Sequence, residues 1–241
     1  MRRLTIPARR AAVALLGASL LFAASSSALA QAPPTTTPVP RKDDWWTKRH
    51  EASLERAKKG DVDLLFVGDS ITQGWGENET WKKHYAPRKA ANIGFSGDRT
   101  QHVLWRLENG EIDGINPRGI VLMIGTNNAG SDSAEDIAEG ITQIVSLLRE
   151  RLPDSNILLL AVFPRGEQPN PTREKLDAVN AKVAKLDDGG KVHYLDIGSS
   201  FLEDDGSISK EIMPDFLHLS PEGYKRWAKA IEPAVKHMLG E

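Results

Sequence analysis

Five short, almost wholly apolar runs recur along the 241-residue chain, each set off from the next by stretches of helical period. They lie at Leu64–Val67, 90–95, 119–124, 156–163 and 192–197. A run of four to eight apolar residues without polar alternation suits a strand buried on both faces, the condition of a parallel sheet. Between and after them, 99–107, 133–152, 172–186 and 221–239 carry apolar residues three and four apart, and 43–59 does so ahead of the first run. Ser133 and Ser220 stand where helix caps belong, and Pro221 occupies a first helical position. The alternation predicts an α/β fold: a single-domain three-layer α/β/α sandwich around a flavodoxin-like, doubly wound five-stranded parallel sheet.

Such a sheet places ligands beyond the carboxyl ends of its strands, so the residues at those ends matter most. The first run closes on Gly68-Asp69-Ser70. Small and polar residues there favour a tight turn, and Ser70 becomes a candidate nucleophile if a base lies elsewhere. Gly97 ends the second strand region, where a bare N–H can approach a ligand closely. Asn127 follows the third strand in Gly125-Thr126-Asn127-Asn128, and its amide can point to the same crevice. His218 precedes the last helix, three residues after Asp215, close enough for the carboxylate to fix the imidazole tautomer. The other histidines fall within elements or a lysine-rich turn and read as structural. Ser96 is a rival nucleophile, but no Gly-x-Ser-x-Gly elbow surrounds it.

The ends of the chain read differently. Met1–Ala30 opens with arginines, continues through an apolar run from Ala11 to Ala24 and closes on Ala28-Leu29-Ala30, the pattern of a cleaved signal peptide. The Arg9-Arg10 pair leaves the export route open between the general and the twin-arginine pathway. Residues 31–41, rich in Pro and Thr, read as a mobile tether, and 42–241 as the folded domain. A secreted or periplasmic location follows from the leader. Of the adjacent Trp45 and Trp46, packing onto the domain is preferred to a sugar platform.

Composition excludes other chemistry. The chain has no cysteine, which removes disulfides, thiolate catalysis and cysteine-ligated zinc. Its formal net charge is −2; without the four leader arginines 27 basic residues face 33 acidic ones, a balance of −6. A mildly acidic chain without basic runs is a poor partner for nucleic acid or an anionic membrane. There is no Gly-x-Gly-x-x-Gly at a strand end, no phosphate loop and no His-Glu-x-x-His. Neither metal nor cofactor is expected, no stable membrane anchor is expected, and a homo-oligomer is left open.

Gly68-Asp69-Ser70, Gly97, Gly125-x-Asn127 and Asp215-x-x-His218 together resemble, in order and spacing, the four blocks of the SGNH (GDSL-type) esterases. The stretch from Asn92 to Gly110 and Gly-Thr-Asn-Asn128 are similar to the catalytic subunits of the intracellular platelet-activating factor acetylhydrolases, which share Asn at position 128 where the broader family has an acid. The resemblance implies metal-free hydrolysis of short-acyl esters. It assigns Ser70 as nucleophile, His218 as base and Asp215 as its orienting acid. It makes the Ser70 N–H, the Gly97 N–H and the Asn127 side chain the oxyanion donors. With the leader included, the expectation is a secreted esterase that removes acetyl groups from carbohydrate. The alternatives are an acetylhydrolase or lysophospholipase acting on lipid, and a non-catalytic carbohydrate-binding module on an esterase scaffold.

Overall fold

In the computed structural model, which describes residues 33–241, the five apolar runs form one parallel sheet. The leader read over 1–30 and the first residues of the tether lie outside the described residues. The strands are β1 (Leu64–Gly68), β2 (Ala90–Gly94), β3 (Gly119–Met123), β4 (Asn156–Leu160) and β5 (Val192–Leu195), in the order β2-β1-β3-β4-β5. This is the expected α/β architecture. The order reverses at β1, so a crevice opens beyond the carboxyl ends of β1, β2 and β3. The register aligns Gly68 with Gly94 on one side and with Met123 on the other, so these three strands end at the same level.

Period-two alternation divides the strand residues between two cores. Leu65, Val67, Ile120, Leu122, Ile157 and Leu159 face one core. Helices α1 (Asp44–Lys58), α4 (Thr100–Arg106), α5 (Ala134–Arg151) and α6 (Pro171–Val183) cover it. Leu64, Phe66, Val121, Met123, Leu158 and Leu160 face the other, beneath α7 (Pro221–Leu239) and an aromatic group of Trp75, Trp81, Tyr85 and Trp227. The inner strands β1, β3 and β4 are thus covered on both faces, which is why their sequences show no polar alternation, while the edge strands β2 and β5 are half-buried in part and admit Asn92, His193 and Tyr194. The caps fall where the sequence places them: Ser133 accepts from the Asp136 N–H at 3.1 Å, and Ser220 accepts from the Glu222 and Gly223 N–H groups at 3.1 Å each.

Four features depart from the expectation. The strands stop earlier: 95, 124, 161–163 and 197 are buried residues, and Asp196 an exposed one, that lie beyond the strand ends and build the loops above the sheet. Two short helices, α2 (Ser70–Gln73) and α3 (Glu79–His84), form where no periodicity announced them. The expected tether is not free over its described part. Pro34–Thr36 is a helical turn, the buried Thr35 donates to Asp136 O at 2.7 Å, and its own carbonyl accepts from Thr100 Oγ1 at 2.9 Å. Thr and Pro supply few side-chain contacts, but the backbone and hydroxyl groups are satisfied by α4 and α5. The tryptophan pair divides: Trp46 is buried in the core, while Trp45 is exposed with the Arg41 guanidinium 5.1 Å from its ring centroid.

Candidate active site

Ser70 begins α2 directly after β1, so its position is fixed by the strand. Asp69 caps that helix, its Oδ1 accepting from the Ile71 N–H at 3.0 Å. Gly68 and Gly94 have no room for a side chain: a Cβ on either would run into Thr72. This close approach holds α2 against the ends of β1 and β2.

The His218 loop arrives from the other side of the crevice, immediately before α7. Phe216 sits at φ +58° in the left-handed region, which non-glycine residues rarely adopt. It is held there by its N–H on Met213 O at 2.9 Å and by its carbonyl accepting from the Gly166 N–H at 2.8 Å. The turn this creates lets Asp215 Oδ1 accept from the Leu217 and His218 N–H groups at 3.1 and 2.7 Å. Asp215 Oδ2 then lies 2.6 Å from His218 Nδ1, and His218 Nε2 lies 2.9 Å from Ser70 Oγ. Partial desolvation pushes the Asp215 carboxyl up, but the side-chain and backbone hydrogen bonds of His218 outweigh it and hold it below its ordinary value. An ionised Asp215 accepts the Nδ1 proton, which leaves Nε2 free to accept from the Ser70 hydroxyl. Ser70, His218 and Asp215 are therefore brought into one hydrogen-bonded line.

Gly97 and Asn127 are brought to each other. Gly97 has φ +74°, and a Cβ there would lie 2.9 Å from Arg41 Nη1. Asn127 Nδ2 donates to Asp98 O, next along the chain, at 2.9 Å. This bond uses one of the two amide N–H groups and fixes the plane of the amide. Neither residue bonds Ser70 directly; the common level of β1, β2 and β3 places them on its edge of the sheet. Ser96 lies in the same crevice, but no histidine bonds its hydroxyl among the described residues. Its backbone is held by Gln73 Oε1 and the Arg41 guanidinium, each at 2.7 Å.

Beneath the loops runs a buried charged group with no signal in the apolar pattern. Arg106 donates through Nε to Asp98 Oδ2 at 2.8 Å and through Nη1 to Glu111, with both side chains fully buried. Trp46 Nε1 completes Asp98 at 2.8 Å, and His50 completes Glu111 at 2.8 Å. This group anchors Asp98, and with it the carbonyl that Asn127 holds. Asp69 is buried in a different way: its Oδ2 has no partner among the described residues. Burial, reinforced by the nearby Asp98, pushes the Asp69 carboxyl up to about 7, against the Ile71 N–H and the neighbouring His218. Two features could have drawn attention to these residues: Arg106 between Leu104 and Leu107 on the apolar face of its helix, and a carboxylate abutting the strand end at Asp69.

The crevice itself has a volume of about 640 Å³ and is lined by Arg49, Ser70, Gln73, Gly74, Gly76, Asn92, Ser96 and His218. Apart from the His218 imidazole, none of these lining side chains is aliphatic or aromatic.

The GDSL-like lipase/acylhydrolase family matches residues 66–226, more than half of the chain. Over 197 residues the chain is 42% identical to platelet-activating factor acetylhydrolase IB subunit alpha2 of Rattus norvegicus, covering 81% of this chain and 86% of that protein. It is 40% identical to subunit alpha1 of Homo sapiens, covering 81% and 85%. Among solved structures it resembles a GDSL-like lipase from Bacteroides thetaiotaomicron, with TM-score 0.65, 19% identity and coverage of 78% of this chain and 97% of that one. It also resembles an acetylxylan esterase from Geobacillus stearothermophilus, with TM-score 0.58, 19% identity and coverage of 75% and 95%. The secreted or periplasmic location expected from the leader is corrected by the curated relatives. They belong to the acetylhydrolase group that the sequence resemblance identified as intracellular, and the export reading rested only on residues outside the described structure. No helix among the described residues is long and apolar enough to cross a membrane. The chain belongs to the GDSL-like lipase/acylhydrolase family and is a carboxylic ester hydrolase.

Proposed function

We propose that the chain is a serine esterase that removes acetyl groups from a polar alcohol, carbohydrate being the favoured class. The observation that carries this reading is the crevice lining. Ser70 Oγ and His218 Nε2 open onto amide, hydroxyl, glycine and guanidinium groups, and no aliphatic side chain is among the residues that line the crevice. A buried CH₂ contributes about 0.8 kcal/mol only where apolar surface meets it, so a long acyl chain gains little here. A polar alcohol finds hydrogen-bond partners in the Gln73 amide N–H groups and the Ser96 hydroxyl, the Asn92 amide being held by Thr72 and Gly94.

In this mechanism Ser70 Oγ attacks the acyl carbon and His218 Nε2 takes its proton. The carbonyl oxygen becomes an oxyanion held by the Ser70 N–H, the Gly97 N–H and the free N–H of the Asn127 amide. Collapse breaks the C–O bond, and the alcohol leaves with the proton from His218. Water then attacks the acetyl-enzyme, with His218 acting again as base, and acetate and free Ser70 result. Asp215 keeps its charge throughout and orients the imidazole. A second reading, acetyl removal from a lipid alcohol, is favoured by one observation: the relatives at 40–42% identity are named as platelet-activating factor acetylhydrolase subunits.

The kcat/KM values for p-nitrophenyl acetate, butyrate, octanoate and palmitate test the acyl preference. The expected maximum is at acetate, with a fall beyond about four carbons. A maximum at octanoate or longer would replace the small-acyl reading with a lipid one.

A further inference from the structure

Arg49 is the charged side chain of the crevice that the mechanism does not use. It projects from α1 to the same wall as Ser70, Gln73, Asn92, Ser96 and His218. Its Nε donates to Gly94 O at 2.8 Å, and the guanidinium carbon lies 5.1 Å from the Phe95 ring centroid. These two contacts fix the plane of the group. The four N–H bonds on Nη1 and Nη2 have no acceptor among the described residues. No carboxylate among them lies within 4 Å of Arg49. The nearest acids, Asp98 and Glu111, are buried behind the crevice and already bound to Arg106, Trp46 and His50. A half-buried guanidinium that is oriented but not neutralised is unusual, since burial disfavours its charge and Arg106 repels it, lowering its pKa from the ordinary value. A fork of this kind matches the two oxygens of a carboxylate or phosphate.

We infer that Arg49 forms a subsite for an anionic group, carboxylate or phosphate, on the alcohol portion of the ester. The inference rests on the proposed esterase reading and narrows its substrate class: the acetylated alcohol is acidic. The acyl group itself is neutral, so the charge must lie on the part that leaves with the alcohol. An Arg49–oxyanion contact then sets the distance from that charge to the acetyl carbon at Ser70 Oγ. The contact forms in the ground state and persists in the transition state, so it acts chiefly on KM.

The test uses matched acetyl esters: methyl 4-acetoxybenzoate as the neutral member, 4-acetoxybenzoate as the carboxylate, and 4-acetoxyphenyl phosphate as the phosphate. The quantity read is the ratio of kcat/KM, anionic over neutral, in the intact protein and in Arg49→Gln and Arg49→Lys. Taking the ratio cancels any general loss of activity. The wild-type ratio is expected to exceed one for at least one anion and to fall as salt is added. In Arg49→Gln it is expected to fall roughly tenfold, mainly through KM, and less in Arg49→Lys, which keeps the charge but not the fork. The anion with the larger wild-type ratio identifies the group recognised. A wild-type ratio of one or less for both anions, or a ratio that Arg49→Gln leaves unchanged, would overturn the subsite. Neutral-ester turnover in the wild type reports separately on the esterase reading.

Discussion

At the residue scale, the site separates groups that make bonds from groups that hold them. Asn127 is tied by one N–H to Asp98 O, and its other N–H is the proposed oxyanion donor. Loss of one such donor typically costs on the order of 10²–10³ in kcat. Asn127→Ala is therefore expected to lower kcat by about that factor with little change in KM; an effect confined to KM would make it a uniform binder. Asp69 gives a stability prediction. Its folded-state pKa, pushed up to about 7, lies above the ordinary carboxylate value of 3.8. The folded state therefore keeps a proton that the unfolded chain releases, and the stability this contributes is lost as pH rises from about 4 to about 7. In Asp69→Asn, whose Oδ1 can still accept from the Ile71 N–H, that loss is absent. Urea midpoints are expected to move in favour of the variant as pH is raised from 4.5 to 7.5. A wild-type-to-variant difference constant across that range would refute the buried proton.

At the scale of elements, what was legible follows from how local the determining forces are. The strands and the long helices are written in their own residues: Ile120, Val121 and Leu122 have nowhere to go but a strand covered on both faces. Ser220-Pro221 marks a helix start whatever surrounds it. Ser70, Gly97, Asn127, Asp215 and His218 were visible because each sits at a strand end or on the loop before α7. The short helices α2 and α3 were not, since four to six residues carry no period and are held by Gly68, Gly94 and the aromatic core. Docking of 33–41 was hidden because it depends on backbone and hydroxyl partners in α4 and α5, far along the chain. The Arg106 group was hidden for the same reason: Arg106, Asp98 and Glu111 become a unit only when α4 lies on the sheet. Its energetics can be measured. Replacing Arg106 by Met removes the cation that bridges two fully buried carboxylates, leaving Asp98 only the Arg41 guanidinium at 3.8 Å, and breaking such a pair costs about 3–5 kcal/mol. A urea titration of Arg106→Met that shows a loss below about 1 kcal/mol would mean that the group contributes little to stability.

At the scale of the whole molecule, a parallel sheet with order β2-β1-β3-β4-β5 gathers residues from the two ends of the chain. Ser70 follows the first strand and His218 precedes the last helix, 148 positions apart, yet their side chains stand 2.9 Å from each other. The same topology carries Gly97 and Asn127 on the loops that follow β2 and β3, the strands on either side of β1, and leaves around Ser70 and His218 a crevice lined by Arg49, Gln73, Asn92 and Ser96. In the proposed mechanism Ser70 is the covalent nucleophile of this crevice. The most direct test of this role is reaction with a fluorophosphonate followed by peptide mass mapping, run on the wild type and on Ser70→Ala. The label is expected on Ser70 alone, with no labelling of the variant and a loss of kcat on the order of 10³-fold or more in a chain that remains folded. A label on Ser96, or a Ser70→Ala protein that still hydrolyses p-nitrophenyl acetate at the wild-type rate, would contradict it.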